Sequence, residues 1–219
     1  MLLFSLLVFS PTKVLNINVA SRLLNNLPVS DDLFKIIVGL VLGDVHIYRN
    51  KTENASLHIE QSLKKEEYLN HLYDLLKNFC ESQPVIRTKT IKRSGTTHQS
   101  IRFTTRQLVC FTELHNLFYF NGTKIVPLNI ESYIAPVSLA YWAMDDGSKA
   151  GEGFHFNTHG FTLEGVNMLS SILLNKFNLI NTIHSQERGY RLYITSKSMD
   201  LFRFLVKPHF HDSMLYKLD

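Results

Sequence analysis

Two aspartates close two similar apolar segments, and their position indicates metal chemistry. The first segment runs from Ile37 to Asp44 and the second from Leu139 to Asp146. A carboxylate at a helix C-terminus meets the negative end of the helix dipole, which costs on the order of 0.3–1 kcal/mol. Two such carboxylates repel each other further, unless a divalent cation lies between them. Mg²⁺ takes hard oxygen ligands of this kind and usually shares them with phosphate.

Small residues within the two segments provide a way to bring the aspartates together. Gly39 and Gly43 lie about one helical turn apart, so they share a face that another backbone can approach closely. Ala140 and Ala143 are placed similarly in the second segment. The alternative interpretation is two ordinary helix-terminal acids, one of them bonded to a local amide. One aspartate in each segment favours the paired metal site.

The elements that must position these aspartates are predicted as one series that occurs twice. Each half opens with an apolar helix, continues with strands that flank a second helix, and ends in a helix, which predicts an α+β fold. The region after Gly147 has little room for the first hairpin of its half. The predicted elements are 33–44, 45–49, 55–61, 64–79, 85–93, 99–104 and 106–118 in the first half, and 137–146, 153–158, 162–177, 180–185, 190–195 and 198–206 in the second. The predicted domains are an N-terminal extension over 1–31, a first repeat over 32–126 and a second repeat over 127–219.

Composition and the N-terminus restrict the class of protein. The chain has 219 residues, of which 45% are hydrophobic, as in a globular protein. Its opening apolar run stops at Pro11, too short for the roughly 20 residues that span a bilayer, so no membrane partner is expected. The extension is either an organelle-targeting leader or a stub translated from an upstream reading frame. Cys80 and Cys110 have apolar neighbours and no metal-site spacing, which predicts free thiols.

Basic residues are concentrated in one part of the chain. The formal net charge is only +4, but no acidic residue lies between Glu81 and Glu113. Such a block attracts a polyanion, usually nucleic acid, although a solvated basic face is the alternative. Strand pairs with alternating polar side chains can also lie in the DNA major groove. The predicted DNA-binding residues are Arg87, Lys89, Lys92, Arg93, Arg102 and Arg106 in the first half and Arg188 and Arg191 in the second.

The two apolar segments resemble the paired motifs of single-chain LAGLIDADG homing endonucleases, the family that includes the endonuclease of the yeast mitochondrial ω intron. Asp44 and Asp146 each fall at the eighth position of the motif. The second motif, from Pro136 to Gly147, carries most of the resemblance. Further matching segments are 161–164, 175–177 and 214–218.

This resemblance implies a monomer with two pseudo-symmetric αββαββα repeats that form a DNA-binding saddle of β-sheet. The two motif helices pack at its centre, where Asp44 and Asp146 hold Mg²⁺ (or Mn²⁺) against the scissile phosphates. Lys124 and Lys217 are the basic residues expected beside those phosphates, and Asp145 has a supporting role or none. The implied activity is site-specific cleavage of double-stranded DNA at a long asymmetric site during intron homing. The mitochondrion is the expected compartment, with the chloroplast as the alternative.

Two other functions remain open for the same fold. An intron maturase binds its own intron RNA and assists splicing. Retention of both eighth-position aspartates favours the nuclease, because RNA binding alone needs no paired metal site. A non-catalytic DNA-binding regulator is the third possibility. Mg²⁺-dependent DNA cleavage separates the nuclease from both.

Overall fold

The computed structural model describes residues 27–50, 53–90 and 95–219, and within them the same series of helices and strands occurs twice. The first half consists of α1 (Asp31–Leu42), β1 (His46–Tyr48), β2 (Ser56–Ser62), α2 (Glu66–Leu76), β3 (Val85–Thr90), β4 (Thr97–Thr104) and α3 (Val109–Phe118). A two-stranded ribbon, β5 (Tyr119–Phe120) and β6 (Thr123–Lys124), follows it. The second half consists of α4 (Pro136–Asp146), β7 (Gly147–Ala150), β8 (Gly153–Asn157), α5 (Leu163–Phe177), β9 (Asn181–Gln186), β10 (Gly189–Ile194) and α6 (Met199–Val206).

Both halves build the same four-stranded sheet. The strand orders are β1-β2-β4-β3 and β7-β8-β10-β9, and all neighbouring strands are antiparallel. The predicted α+β fold of two αββαββα repeats is therefore confirmed. In the first sheet Ile59 pairs with Phe103, and in the second Leu192 pairs with Phe156; all four side chains are buried. Each sheet thus turns an apolar face to the helices.

The first hairpin of the second half is complete despite its short sequence. Gly147 pairs with Phe156 and Ala150 pairs with Gly153, so β7 and β8 form a regular antiparallel pair. Gly151 lies in the connecting turn with φ of 57°, a conformation that glycine adopts without steric cost. The second sheet therefore keeps the same number of strands as the first.

Several element boundaries differ from those predicted. Helix α1 begins at Asp31, after Ser30, whose side chain accepts a hydrogen bond from the Leu33 amide. Leu27 and Val29 pack against the core, so core contacts begin before the end of the predicted extension. No helix in the described part of the chain is both long and apolar enough to cross a bilayer.

The end of the first repeat also differs from its prediction. Helix α3 begins at Val109 and not at residue 106, because Thr105 and Leu108 are held by isolated β-bridges to Cys80 and Ala55. These bridges keep the chain extended between β4 and α3.

The thiols of both Cys80 and Cys110 are free, as predicted.

Candidate active site

The two motif helices, α1 and α4, meet through the glycines of α1. A Cβ atom at Gly39 would overlap the backbone carbonyl oxygen of Ser138. A Cβ atom at Gly43 would lie 2.7 Å from Oδ2 of Asp145. The predicted close approach of a second backbone is thus confirmed at Gly39, and Gly43 leaves room for a carboxylate. Because the helices pack side by side at these positions, their C-terminal ends lie together.

The eighth-position aspartates lie at these adjacent helix ends. Asp44 follows α1 and its side chain is exposed, whereas Asp146 is the last residue of α4 and is half-buried. The side-chain amide of Asn157 donates to Oδ1 of Asp146 at 3.1 Å and to its carbonyl oxygen at 2.9 Å. Burial raises the pKa of Asp146 to about 6, and the nearby charge of Asp44 adds to this. The two carboxylates are therefore close enough to repel each other.

Asp145, at the seventh position of the second motif, lies beneath the site. Its side chain is buried, with Oδ2 accepting from the backbone N–H of Asp44 at 2.7 Å and Oδ1 accepting from Nε2 of Gln61 at 2.7 Å. Burial and the charge of Asp44 raise the pKa of Asp145, while the hydrogen bond from the Asp44 amide opposes the rise. Asp145 thus joins the two halves of the chain at the point where α1 ends.

Lys124 is held against the end of α1 by the β5–β6 ribbon. The turn of this ribbon is Asn121-Gly122, with φ of 49° and 77°, as expected of a two-residue type I′ hairpin. Nζ of Lys124 donates to the carbonyl oxygens of Gly43 at 2.9 Å and Val45 at 3.4 Å. Burial lowers the pKa of Lys124, and the neighbouring aspartates counteract this. An ammonium group here compensates the negative end of the helix dipole.

Lys217 binds the C-terminal end of α4 as Lys124 binds that of α1. It closes the C-terminal 3-10 helix Asp212–Lys217, and its Nζ donates to the carbonyl oxygens of Ala143, Met144 and Asp145 at 3.3, 2.5 and 3.5 Å. Burial lowers the pKa of Lys217 to about 8. An ammonium group has three N–H donors, so those of Lys217 are fully used by the backbone. Lys124 keeps one donor for another partner.

A cavity of about 270 Å³ opens beside Asp146. Its polar lining includes Lys124, Asn157, His159 and Arg191. Nε of Arg191 is buried and has no hydrogen-bond partner among the described residues. A buried donor without an acceptor is costly, and an anionic oxygen in the cavity would satisfy it. The cavity thus presents a carboxylate and two cationic side chains to one small volume.

The other residues predicted to bind DNA lie mostly on the sheets. Arg87 and Lys89 are exposed on β3, Arg102 is half-buried on β4, and Arg188 is exposed in the β9–β10 turn. Arg106 follows the end of β4 at Thr104 and is half-buried, and its Nη2 donates to the carbonyl oxygen of Asn78 at 2.6 Å. Lys92 and Arg93 lie outside the described residues.

Two polar residues at the site were not predicted, Gln61 and Asn157. Gln61 follows Leu57 and Ile59 on the buried face of β2, where a polar side chain requires a buried partner. That break in the apolar alternation is a signal the sequence carries. Asn157 ends β8, and only its pairing in the completed hairpin brings it to Asp146. Similarly, the Asn121-Gly122 pair is a recognisable hairpin turn that places Lys124.

The carboxylate oxygens at this site suit a divalent cation that a phosphate group also binds. In the described residues no group of three or more His, Cys, Asp or Glu side chains could hold a metal ion. Asp44 and Asp146 offer hard carboxylate oxygens, and Mg²⁺ is commonly bound by one or two carboxylates together with water and phosphate. Burial raises the pKa of Asp146 most and repulsion by Asp44 adds to the rise; a cation between the two carboxylates would relieve that repulsion. The residues present therefore suit Mg²⁺ or Mn²⁺ at a phosphate-binding site.

Comparisons with known proteins agree with this geometry. The chain is 33% identical to the cytochrome b mRNA maturase bI2 of Debaryomyces hansenii, covering 88% of this chain and 76% of that protein. It is 31% identical to the probable intron-encoded endonuclease 1 of Wickerhamomyces canadensis, covering 83% of this chain and 81% of that protein. The structure of the homing endonuclease I-WcaI bound to its DNA recognition sequence superimposes with a TM-score of 0.86 at 28% identity, covering 97% of this chain and 96% of that one.

The family is shown by the length of the match. Residues 34–202 match the LAGLIDADG DNA endonuclease family. This range contains most of α1, all of α4, both sheets and the two eighth-position aspartates. The chain therefore belongs to the LAGLIDADG DNA endonuclease family, as the paired segments ending in Asp44 and Asp146 predicted.

Proposed function

We propose that this chain is a site-specific endonuclease that cuts both strands of DNA during intron homing and acts as a monomer. One observation carries the proposal: Asp44 and Asp146 meet at the C-terminal ends of two helices packed through Gly39 and Ser138. This arrangement is electrostatically unfavourable by itself, and it becomes useful when a cation and a phosphate are bound. The DNA-bound I-WcaI structure supports the same assignment.

Asp44 and Asp146 would hold Mg²⁺ or Mn²⁺ between them. When bound, the cation supplies charge stabilisation at the scissile phosphates and lowers the pKa of the attacking water. The chain's own residues fix the geometry around it. Asn157 orients the Asp146 carboxylate through its side-chain amide, and Asp145 fixes the backbone of Asp44. Preorganised groups of this kind need no rearrangement during the reaction.

Lys124 and Lys217 are proposed to act differently, although both were expected beside a phosphate. Lys124 lines the cavity at Asp146 and has one N–H free of the backbone, so it would contact a phosphate oxygen there. Arg191 would supply a second contact through its unpartnered Nε. Lys217 uses its donors on three carbonyl oxygens, so it would act by stabilising the end of α4 and offsetting the aspartate charges.

The exposed faces of the two sheets are proposed to bind the DNA duplex. Arg87, Lys89, Arg102 and Arg188 project from these faces or their turns, where they would contact phosphates or base edges in the major groove. Lys92 and Arg93, which lie outside the described residues, are proposed as further DNA contacts from their charge alone. Arg106 stays in the proposed set, because only one hydrogen bond to a backbone carbonyl oxygen is made by its guanidinium and its Nε has no partner among the described residues.

An intron RNA maturase is the second candidate function. It is favoured by relatives named cytochrome b mRNA maturase bI2 in D. hansenii and in Saccharomyces cerevisiae, the latter 30% identical. The match covers 94% of this chain but only 52% of the S. cerevisiae protein, so the activity of that whole protein is not assigned to this chain. These yeast relatives, named for cytochrome b mRNA, also support the mitochondrion as the compartment. The chloroplast is the alternative; the DNA endonuclease I-ChuI of Chlamydomonas applanata is 25% identical to this chain.

A paired assay on DNA and RNA distinguishes the two functions. Purified protein is incubated with the intron-less allele of its host gene and, separately, with the intron RNA, each in Mg²⁺ and in EDTA. The proposal expects double-strand cutting of the DNA in Mg²⁺ alone. Tight binding of the intron RNA with no cutting of DNA would instead assign the maturase function. Binding of DNA with neither activity would assign a regulator.

A further inference from the structure

The two halves differ at the seventh position of their motifs. The first motif has Gly43 there, and the second has Asp145. The absence of a side chain at Gly43 creates the space that the Asp145 carboxylate occupies, since a Cβ atom would lie 2.7 Å from Oδ2 and 2.8 Å from Cβ of Asp145. Gly43 and Asp145 therefore fit together sterically. As a result, Asp44 and Asp146 lie in different surroundings.

Each catalytic aspartate has its own support. The backbone N–H of Asp44 is bonded to Oδ2 of Asp145 across the interface between the two halves. Asp146 is bonded through its carboxylate and carbonyl to Asn157, within its own half. Asp145 and Asp146 are neighbours in α4, but no hydrogen bond joins the Asp145 side chain to the Asp146 carboxylate. A change at Asp145 consequently acts first on Asp44.

Gln61 completes the support of Asp44. Its amide donates to Oδ1 of Asp145 at 2.7 Å, and its own Oε1 accepts from Nζ of Lys65 at 3.1 Å. Asp145 therefore accepts one N–H hydrogen bond on each carboxylate oxygen. Its side chain is buried, so water does not replace either bond.

We infer that Asp145 is a positioning residue that holds Asp44 and so controls cleavage of one DNA strand more than the other. This inference rests on the proposed endonuclease function. Asp145 does not need to touch the metal or the phosphate, because it acts through the backbone at Asp44. A displacement of Asp44 misplaces one of the two carboxylates, and small errors in the position of reacting groups lower rates steeply.

The substitution Asp145→Asn disrupts this support without changing the size of the side chain. Asparagine has one acceptor oxygen, so it cannot accept from both the Asp44 N–H and Nε2 of Gln61, and its NH2 group then faces one of these N–H donors and repels it. The double variant Asp145→Asn with Gln61→Glu restores both bonds: the Asn amide donates to the glutamate and its oxygen accepts from Asp44. The double variant also returns the charge of the pair to that of the wild type.

The reciprocal variant is Asn157→Ala, which removes the support of Asp146 and leaves Asp145 unchanged. It provides a control for general loss of activity. Gln61→Glu alone places a second carboxylate against Asp145 and keeps the Asp145 side chain. It tests the same contact if Asp145→Asn fails to fold.

The experiment measures nicking and linearisation of a supercoiled plasmid that carries the target site, with the cut strand identified by end-labelling. For Asp145→Asn we expect one strand to be cut about tenfold more slowly relative to the other, so that nicked circles accumulate. Gln61→Glu should slow cutting of the same strand, and Asn157→Ala should slow cutting of the opposite strand. The double variant should return to the wild-type ratio of the two cutting rates. Melting temperature and DNA affinity in EDTA are measured for each protein.

Equal slowing of both strands by Asp145→Asn would overturn the inference, as would a double variant no better than the two single variants. In either case the wild-type protein still cuts DNA, and the proposed function stands. A wild-type protein that cuts neither strand overturns the proposed function and the inference with it. A merely structural role for Asp145 would lower the melting temperature without changing the strand ratio.

Discussion

Substitution of Asp146 by asparagine is expected to remove double-strand cleavage of DNA and, at neutral pH, to stabilise the protein. Burial, together with the charge of Asp44, raises the pKa of Asp146 from 3.8 to about 6. The folded protein at pH 7.5 therefore holds an ionised carboxylate in surroundings that disfavour its charge. Asparagine removes the charge and keeps an oxygen that accepts from Asn157.

The size of this stabilisation follows from the pKa. A rise from 3.8 to about 6 corresponds to at most about 3 kcal/mol. Asp146 is only half-buried, and solvent screening reduces the expected gain to about 1–2 kcal/mol. For a chain of 219 residues this raises the melting temperature by about 2 to 8 °C.

The stabilisation of the fold by Asp146→Asn must depend on pH in a defined direction. An acid whose pKa is higher in the folded state binds protons more readily when folded, so its charge destabilises the fold at high pH. The penalty is complete above about pH 6 and disappears below 3.8, where Asp146 is protonated in both states. The difference in melting temperature between Asp146→Asn and the wild type should therefore be positive at pH 7.5 and close to zero near pH 3.8.

Scanning calorimetry of both proteins across this pH range, in EDTA, measures the difference. Addition of Mg²⁺ at pH 7.5 should then stabilise the wild type more than the variant, because the variant has lost a ligand. A variant that is less stable than the wild type at pH 7.5 would refute the reasoning. So would a difference that does not change with pH.

Three other substitutions or conditions test separate parts of the account. Gly39→Ala should lower the free energy of unfolding by about 1–3 kcal/mol in denaturant titrations, because its Cβ atom meets the Ser138 carbonyl, whereas Gly160→Ala, which meets no atom within 4 Å, should be near neutral. Lys124→Met should slow single-turnover cleavage about 100-fold while leaving DNA affinity within a few fold, and an unchanged rate would exclude its phosphate contact. DNA affinity should fall steeply with salt, and Lys89→Gln should reduce the slope of log K against log salt by about 1; a flat salt dependence would contradict the basic saddle.

The sequence predicted the features of the fold that depend on local patterns. Apolar periodicity located the helices and most strands, and the small residues at Gly39 and Gly43 indicated the packing of the motif helices. Thr162 was expected at the start of α5, and its side chain accepts from the Gly165 amide. Such features follow from neighbouring residues, so no contact between distant parts of the chain was needed.

The features that were missed depend on contacts between distant parts of the chain. Asp145 is bonded to Asp44 and Gln61 across the two halves, and neither partner follows from its own segment. The start of α3 was misplaced, since the extended chain before it is held by bridges to Cys80 and Ala55. The full use of the Lys217 donors also depends on where the C-terminal 3-10 helix packs. These residues became interpretable only once the tertiary contacts were known.

The most direct test of the central claim compares Asp44→Asn and Asp146→Asn with the wild type in a plasmid cleavage assay on the intron-less allele. Each protein is first matched for DNA binding in EDTA, and Mg²⁺ is then added. We expect the wild type to linearise the plasmid, whereas both variants bind it equally well or more tightly and do not linearise it. If either variant cuts both strands at the wild-type rate, the two aspartates do not form the catalytic site.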